Sequence, residues 1–294
     1  MRYLEFPVSP EEAGRRVDAI LRRHGLSTSA IRRAKHRPRG LLLDGEDIYT
    51  SYLVKPGQVV AILADDPITS RIVPNDGPVS IVYEDEDLLV VDKPAGLTVH
   101  PCAGNWDDSL GARLVHYYQR SGIHADFHPV HRLDKGTSGL MAVAKHPAAQ
   151  HALTSALHTG RFHREYLAVC EGCPQPAEGM VNAPLGRSDD SYIRQVVRPD
   201  GKEARTHYWV IRSSPSYSLL RLVLDTGRTH QIRVHMAYLG HPLAGDFLYG
   251  REDPALISRP ALHSARLCFT QPFTGEEFAF ESPLPDDMER LMSL

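Results

Sequence analysis

Residues 64–78 decide how the chain is organised. They include the run Asp65-Asp66-Pro67-Ile68-Thr69-Ser70-Arg71-Ile72-Val73-Pro74-Asn75-Asp76-Gly77-Pro78, whose prolines and glycine rule out a regular helix or a central strand. Such a composition suits a linker. It divides the chain into a small unit, residues 1–70, and a larger one, residues 79–294. A length of 294 residues is long for one domain and comfortable for two.

The small unit shows Val17, Ile20 and Leu21 at helical spacing, with Gly25 as a stop. Ser27 or Ser29 suits the N-cap of a second helix through Ile31 and Ala34. Leu41–Leu43 with Asp44-Gly45 reads as a strand and turn, and Pro56-Gly57 precedes a strand over Gln58–Leu63. The result is a small α/β module of two helices and a hairpin. Nine basic residues lie between Arg15 and Arg39, with Asp18 as the only acid, although the net charge of the chain is −3. A basic segment on an otherwise acidic chain predicts a local phosphate contact, not indiscriminate coating of nucleic acid.

In the larger unit, Ser80–Tyr83, Leu88–Val91, Leu140–Ala144, Tyr166–Cys170, Tyr208–Ile211 and Leu219–Leu224 read as strands. Helices are expected over Ser109–Tyr118 and from Pro147 to a stop at Gly160. Irregular interleaving with hairpin-like spacing predicts an α+β fold rather than a doubly wound sheet. The four cysteines are too few for a disulfide scaffold, and the lone Cys170/Cys173 pair lacks the further ligands of a zinc site. No run approaches about 20 apolar residues, so no membrane span is expected. The N-terminus carries acids where a secretion signal needs an apolar core, so the expected location is cytoplasmic.

Polar residues are concentrated in two segments. The first, His128–Leu140, is a Gly-flanked loop that feeds a strand and mounts Asp134. Turn residues shape such a loop and the sheet anchors one end, which suits a reactive carboxylate. A turn in which Asp134 caps backbone N–H groups is the competing reading. The second segment is Thr226–His235. Alternation would place Arg228, His230 and Gln231 near the loop, and Arg233 with His235 on one face beyond it. A buried arginine requires a carboxylate, and Asp134 is a candidate. The spacing of His128, His131 and Asp134 would suit a metal on a helix, but Pro129 and Gly136 work against a helix and Arg132 is a poor neighbour for a cation. No metal is expected.

His131–Leu140, HRLDKGTSGL, resembles the catalytic motif of the RluA-type pseudouridine synthases. Val82–Pro101, Arg164–Gly172, Leu224–Gly250 and Ala261–Gly275 are similar to further motifs of that family, in family order. Residues 15–45 with Val54–Val60 resemble the small S-four-type RNA-binding domain, with Arg37-Pro38-Arg39-Gly40 in place of its usual turn. The resemblance implies the pseudouridine synthase fold, a mixed and largely antiparallel sheet with flanking helices. It implies Asp134 as catalytic carboxylate, Arg233 as the cation that keeps it ionised, and Tyr166 as the aromatic that stacks on uracil. It also places Arg132, His131, Thr137, Arg228 and His230 against substrate RNA, with Arg32, Arg33 and Lys35 gripping RNA further away. The implied partner is structured rRNA or tRNA, with no cofactor; a monomer is the default expectation. A non-catalytic RNA-binding protein on the same fold is the alternative.

Overall fold

The computed structural model describes residues 2–294 apart from 66, 67 and 69. The larger unit is built on a ten-stranded sheet. From one edge its strands are Glu178–Asn182, Arg205–Ser213, Tyr217–Leu224, Phe162–Glu171, Leu262–Thr270, Ser138–Ala144, Leu88–Lys93 and Ser80–Glu84. Glu277–Glu281 pairs with Leu262–Thr270, and His128–Pro129 with Ser138–Ala144. Pairing is antiparallel except between Leu262–Thr270 and Ser138–Ala144, where His263 faces Ser138 and Ser264 faces Gly139. This is the mixed, largely antiparallel α+β architecture expected from the sequence.

The apolar runs Leu88–Val91 and Leu140–Ala144 lack alternation because both faces of the sheet are covered. Leu89, Val91, Met141 and Val143 face the helix Leu110–Arg120, packing with Leu110, Leu114 and Tyr118. Leu88, Val90, Leu140 and Ala142 face the helix Pro147–His158, packing with Ala149 and Leu153. Both helices begin where local chemistry places them. Ser109 Oγ accepts the Ala112 N–H at 3.1 Å, and Pro147 occupies the first turn of the other helix. The parallel crossing imposes one residue: at Gly139, with φ of 108°, a Cβ would stand 2.3 Å from the Ser264 carbonyl oxygen. Only glycine lets these two strands meet just beyond the Asp134 loop.

In the small unit, Tyr3–Pro7, Val59–Leu63, Leu41–Leu43 and Glu46–Asp47 form a four-stranded sheet in that order. The helices Val17–Arg23 and Thr28–Ala34 close its core through Val17, Ile20, Leu21 and Ile31. Ser27 is the cap, accepting the Ala30 N–H at 3.1 Å, whereas Ser29 accepts from Arg33. Arg32, Arg33 and Lys35 are exposed.

The two units are docked. Ala148 and Phe273 of the larger unit enter the core of the smaller one. Asp87, buried between them, accepts from Arg2 at 3.0 Å, His146 at 3.0 Å and Gln271 at 2.8 Å. Burial alone would raise the Asp87 pKa, but these hydrogen bonds outweigh it and hold the carboxyl well below its ordinary range. Asp66, Pro67 and Thr69 of the expected linker lie outside the described residues. The remainder is pinned, not free: the Ser70 N–H bonds Asp126 at 2.9 Å, the Asn75 N–H bonds the Ala112 carbonyl at 3.1 Å, and Ile72 packs on the core. Among the described residues, no helix is long and apolar enough to cross a membrane.

Candidate active site

The loop from Val130 to Thr137 alternates between core and surface. His131 is turned inward; its Nε2 accepts the Ala142 N–H at 3.3 Å and its ring stands edge-on to Phe162 at 5.7 Å. Burial, aided by the charge of Arg164, pushes its pKa well below the usual value. His131 is thus a neutral anchor of the loop, with its ring packed on the sheet. Thr137 anchors the other end of the loop. Its side chain is buried, and its N–H bonds the Asp134 carbonyl at 3.1 Å to close the turn. With His131 committed to the core, His128, His131 and Asp134 do not converge. Among the described residues, no group of three or more His, Cys, Asp or Glu is placed to hold a metal.

Arg132 points out, exposed, beside His100. Leu133 returns to the core, and Asp134 is left with a side chain 30% exposed. Its carboxylate faces a guanidinium and an imidazole rather than the backbone N–H groups of a turn. Arg233 Nη1 lies 3.5 Å from Asp134 Oδ2, and His230 Nε2 lies 3.9 Å from the same oxygen.

Arg233 sits on a helix, Gln231–Tyr238, that begins at His230 with a left-handed φ of 57°. The expected strand-like alternation of Thr226–His235 is therefore replaced by a loop and a helix. Arg233 and His235 consequently part company, and His235 is tied to Thr206 at 2.8 Å and the Ala183 carbonyl at 2.9 Å. Gln231 is buried and organises the loop. Its Oε1 accepts from the Arg228 N–H and the Thr226 hydroxyl, and its Nε2 donates to the Arg205 carbonyl and Thr206 Oγ1. Arg228 itself is exposed.

The principal partner of Arg233 is Asp246, not Asp134. Two hydrogen bonds of 2.7 Å join the guanidinium fork to a carboxylate that is fully buried. Burial works against the Arg233 charge, and Asp246 more than restores it, so the guanidinium stays ionised. Tyr249 completes the group. Its oxygen accepts the Gln195 N–H at 2.9 Å and lies 2.8 Å from His230 Nδ1. Burial, helped by Arg233, lowers the His230 pKa against the pull of Asp134. Tyr166 is buried in the cluster that also holds Leu133 and Ile232, the neighbours of Asp134 and Arg233.

Lys93 also belongs to the site, although sequence reasoning missed it. It is fully buried at the end of a strand, and its Nζ donates to the carbonyls of Pro94 and Leu97 at 2.9 Å and of Lys135 at 3.4 Å. One ammonium thereby ties the Asp134 loop to the preceding loop. Burial pushes its pKa down to about 7, against the attraction of Asp134. An unfolded lysine titrates near 10.4, so between roughly pH 7 and 10 the unfolded chain binds the extra proton. Stability therefore rises with pH across that window, by up to about 1.4 kcal/mol per unit, and the cost of burial is felt in full below it. Urea unfolding at about pH 6 and about pH 9 is expected to show this rise, and Lys93→Met to lose it. An unchanged slope in the variant would assign the titration elsewhere.

The model of the RNA pseudouridylate synthase family matches residues 87–238. The chain is 40% identical over 271 residues to the RNA pseudouridine synthase YjbO of Bacillus subtilis, covering 91% of this chain and 95% of that protein. It is 40% identical over 302 residues to ribosomal large subunit pseudouridine synthase D of Vibrio cholerae, covering 96% and 91%. Among solved structures, human RNA pseudouridylate synthase domain containing 1 superposes with a TM-score of 0.59 at 27% identity, covering 71% of this chain and 84% of that one.

Proposed function

The chain belongs to the RNA pseudouridylate synthase family and is an RNA pseudouridine synthase, and from that premise we propose that Asp134 is the carboxylate with which it isomerises uridine in ribosomal RNA. The observation that carries this reading is the half-open Asp134 carboxylate 3.5 Å from a buried arginine whose own charge is neutralised by a second carboxylate.

The reaction breaks the uridine N1–C1′ bond, turns the uracil and joins C5 to C1′. Nothing is oxidised, added or hydrolysed, so the chemistry requires no cofactor. Positive charge develops at C1′ as the base leaves, and a carboxylate beside the sugar stabilises it, as in glycoside cleavage. Attack on C1′ and removal of the C2′ proton place Asp134 in the same position. Arg233 lies 3.5 Å from the Asp134 carboxylate and leaves it open to the sugar, because Asp246 takes most of the guanidinium's hydrogen bonding. Tyr166 stacks on the uracil, and its phenol serves in removing the C5 proton.

The target nucleotide must leave its stack to reach this carboxylate, at a cost of a few kcal/mol. Arg132 fills the vacated position or holds the flanking phosphate in this reading, which its exposure two residues before Asp134 supports. Arg228 and His230 meet the nucleotide from the opposite loop. Arg32, Arg33 and Lys35 of the small module take phosphates further away. The ribosomal assignment rests on relatives such as the Vibrio cholerae enzyme named for the large ribosomal subunit. The enzyme works in the cytoplasm as a monomer in this reading.

Pseudouridine maps of rRNA and tRNA from cells with and without the chain test the proposal. At least one uridine of large-subunit rRNA is expected to lose modification when the chain is absent. Loss confined to tRNA would overturn the ribosomal assignment, and identical maps would overturn the enzymatic one.

A further inference from the structure

Phe247 is 60% exposed on a turn that is otherwise rigid. Asp246 Oδ1 accepts the N–H groups of Leu248 at 3.1 Å and Tyr249 at 3.2 Å, while both Asp246 oxygens are gripped by Arg233. The backbone on either side of Phe247 is thus bound to the buried core of the site, and its ring is held outward. That ring lies 5.8 Å from the Arg233 guanidinium carbon, and Arg233 in turn lies 3.5 Å from Asp134.

A single exposed aromatic is ordinary on a protein surface. This one differs in its mount and its position. A pre-organised ring loses little entropy when a flat partner settles on it. It stands one guanidinium away from the catalytic carboxylate, with exposed Arg228 on the loop that leads into the Arg233 helix. An exposed π-face beside one guanidinium fits a nucleobase, and base–aromatic stacking tolerates any sequence.

Extrusion of a nucleotide also leaves its neighbours in the RNA without a stacking partner. Tyr166, buried at 4% exposure, is committed to the pocket, so the exposed ring is available for a different base. We propose that Phe247 is a stacking platform for an unpaired nucleobase next to the target uridine. The inference rests on the pseudouridine synthase reading.

The probe is total RNA labelled with 5-tritiated uridine, taken from cells that lack the chain, and the readout is tritium release by the full-length protein. Phe247→Ala and Phe247→Leu are expected to lower kcat/KM roughly tenfold, and Phe247→Tyr to return it to within about twofold. Melting midpoints of all three should match the parent. Parental activity in the alanine variant, or rescue by leucine as full as by tyrosine, would overturn the stacking role. So would failure of tyrosine to rescue, or a fall in melting midpoint parallel to the loss. Absence of release by the parent itself would instead sink the synthase reading, and this inference with it.

Discussion

Asp134→Asn is expected to lower isomerisation by at least about 10⁴-fold, the scale on which removing a catalytic carboxylate acts in other enzymes, while leaving the fold and RNA affinity in place. The amide keeps the size of the carboxylate but cannot attack C1′, accept the C2′ proton or balance positive charge on the sugar. The fold should tolerate it for three reasons. The turn at this position is closed by the backbone, through the Asp134 carbonyl and the Thr137 N–H, and not by the side chain. The ion pair with Arg233 is 3.5 Å long and its acid is 30% exposed, so its contribution to stability is under about 1 kcal/mol. Arg233 is not orphaned, because Asp246 still neutralises it. Tritium release, filter retention of RNA and thermal melting measure the three quantities separately. Release near the parental rate would hand the chemistry to another group and end the proposal for Asp134.

Local rules made much of this architecture legible. Ser109, Pro147 and Gly160 mark helix ends because caps and stops act within a few residues. The apolar runs around Leu88 and Leu140 announced buried strands. What escaped was set by partners distant in sequence. Ile232 and Val234 alternate as in a strand, yet the segment is a helix; a two-residue apolar signal is too short to separate the two periods. The direction of His131 depends on Phe162, and the role of Lys93 on the Lys135 carbonyl, across strands that only the folded sheet brings together. Asp134 was the evident carboxylate for Arg233, because its loop is conspicuous. The better match, Asp246, lies in the apolar-flanked Leu243-Ala244-Gly245-Asp246, where an acid followed by a turn looks like ordinary surface.

That second carboxylate carries the other large expected effect. Asp246 is fully buried, and its two oxygens accept four hydrogen bonds, two from Arg233 and one each from the Leu248 and Tyr249 N–H groups. In Asp246→Asn one oxygen becomes an NH₂ that faces a guanidinium N–H, donor against donor, and a buried cation loses its counter-charge. Breaking such a pair typically costs about 3–5 kcal/mol, which for a chain of this size lowers the melting midpoint by roughly 10 °C. Activity should fall as well. The guanidinium would swing toward Asp134, the remaining anion, and immobilise the group that must meet the sugar; displacements of this kind cost about 10²-fold. Arg233→Met with Asp246→Leu distinguishes stability from chemistry, since an apolar pair of similar volume can replace a buried ion pair without loss of stability. The double variant is expected to regain most of the melting midpoint and none of the tritium release. Full activity in it would mean that Asp134 needs no neighbouring cation. A parental midpoint in Asp246→Asn would mean that the buried pair is not what holds Arg233. The expected pattern, stability recovered and catalysis not, would show that this charge is kept in the core for the site and not for the fold.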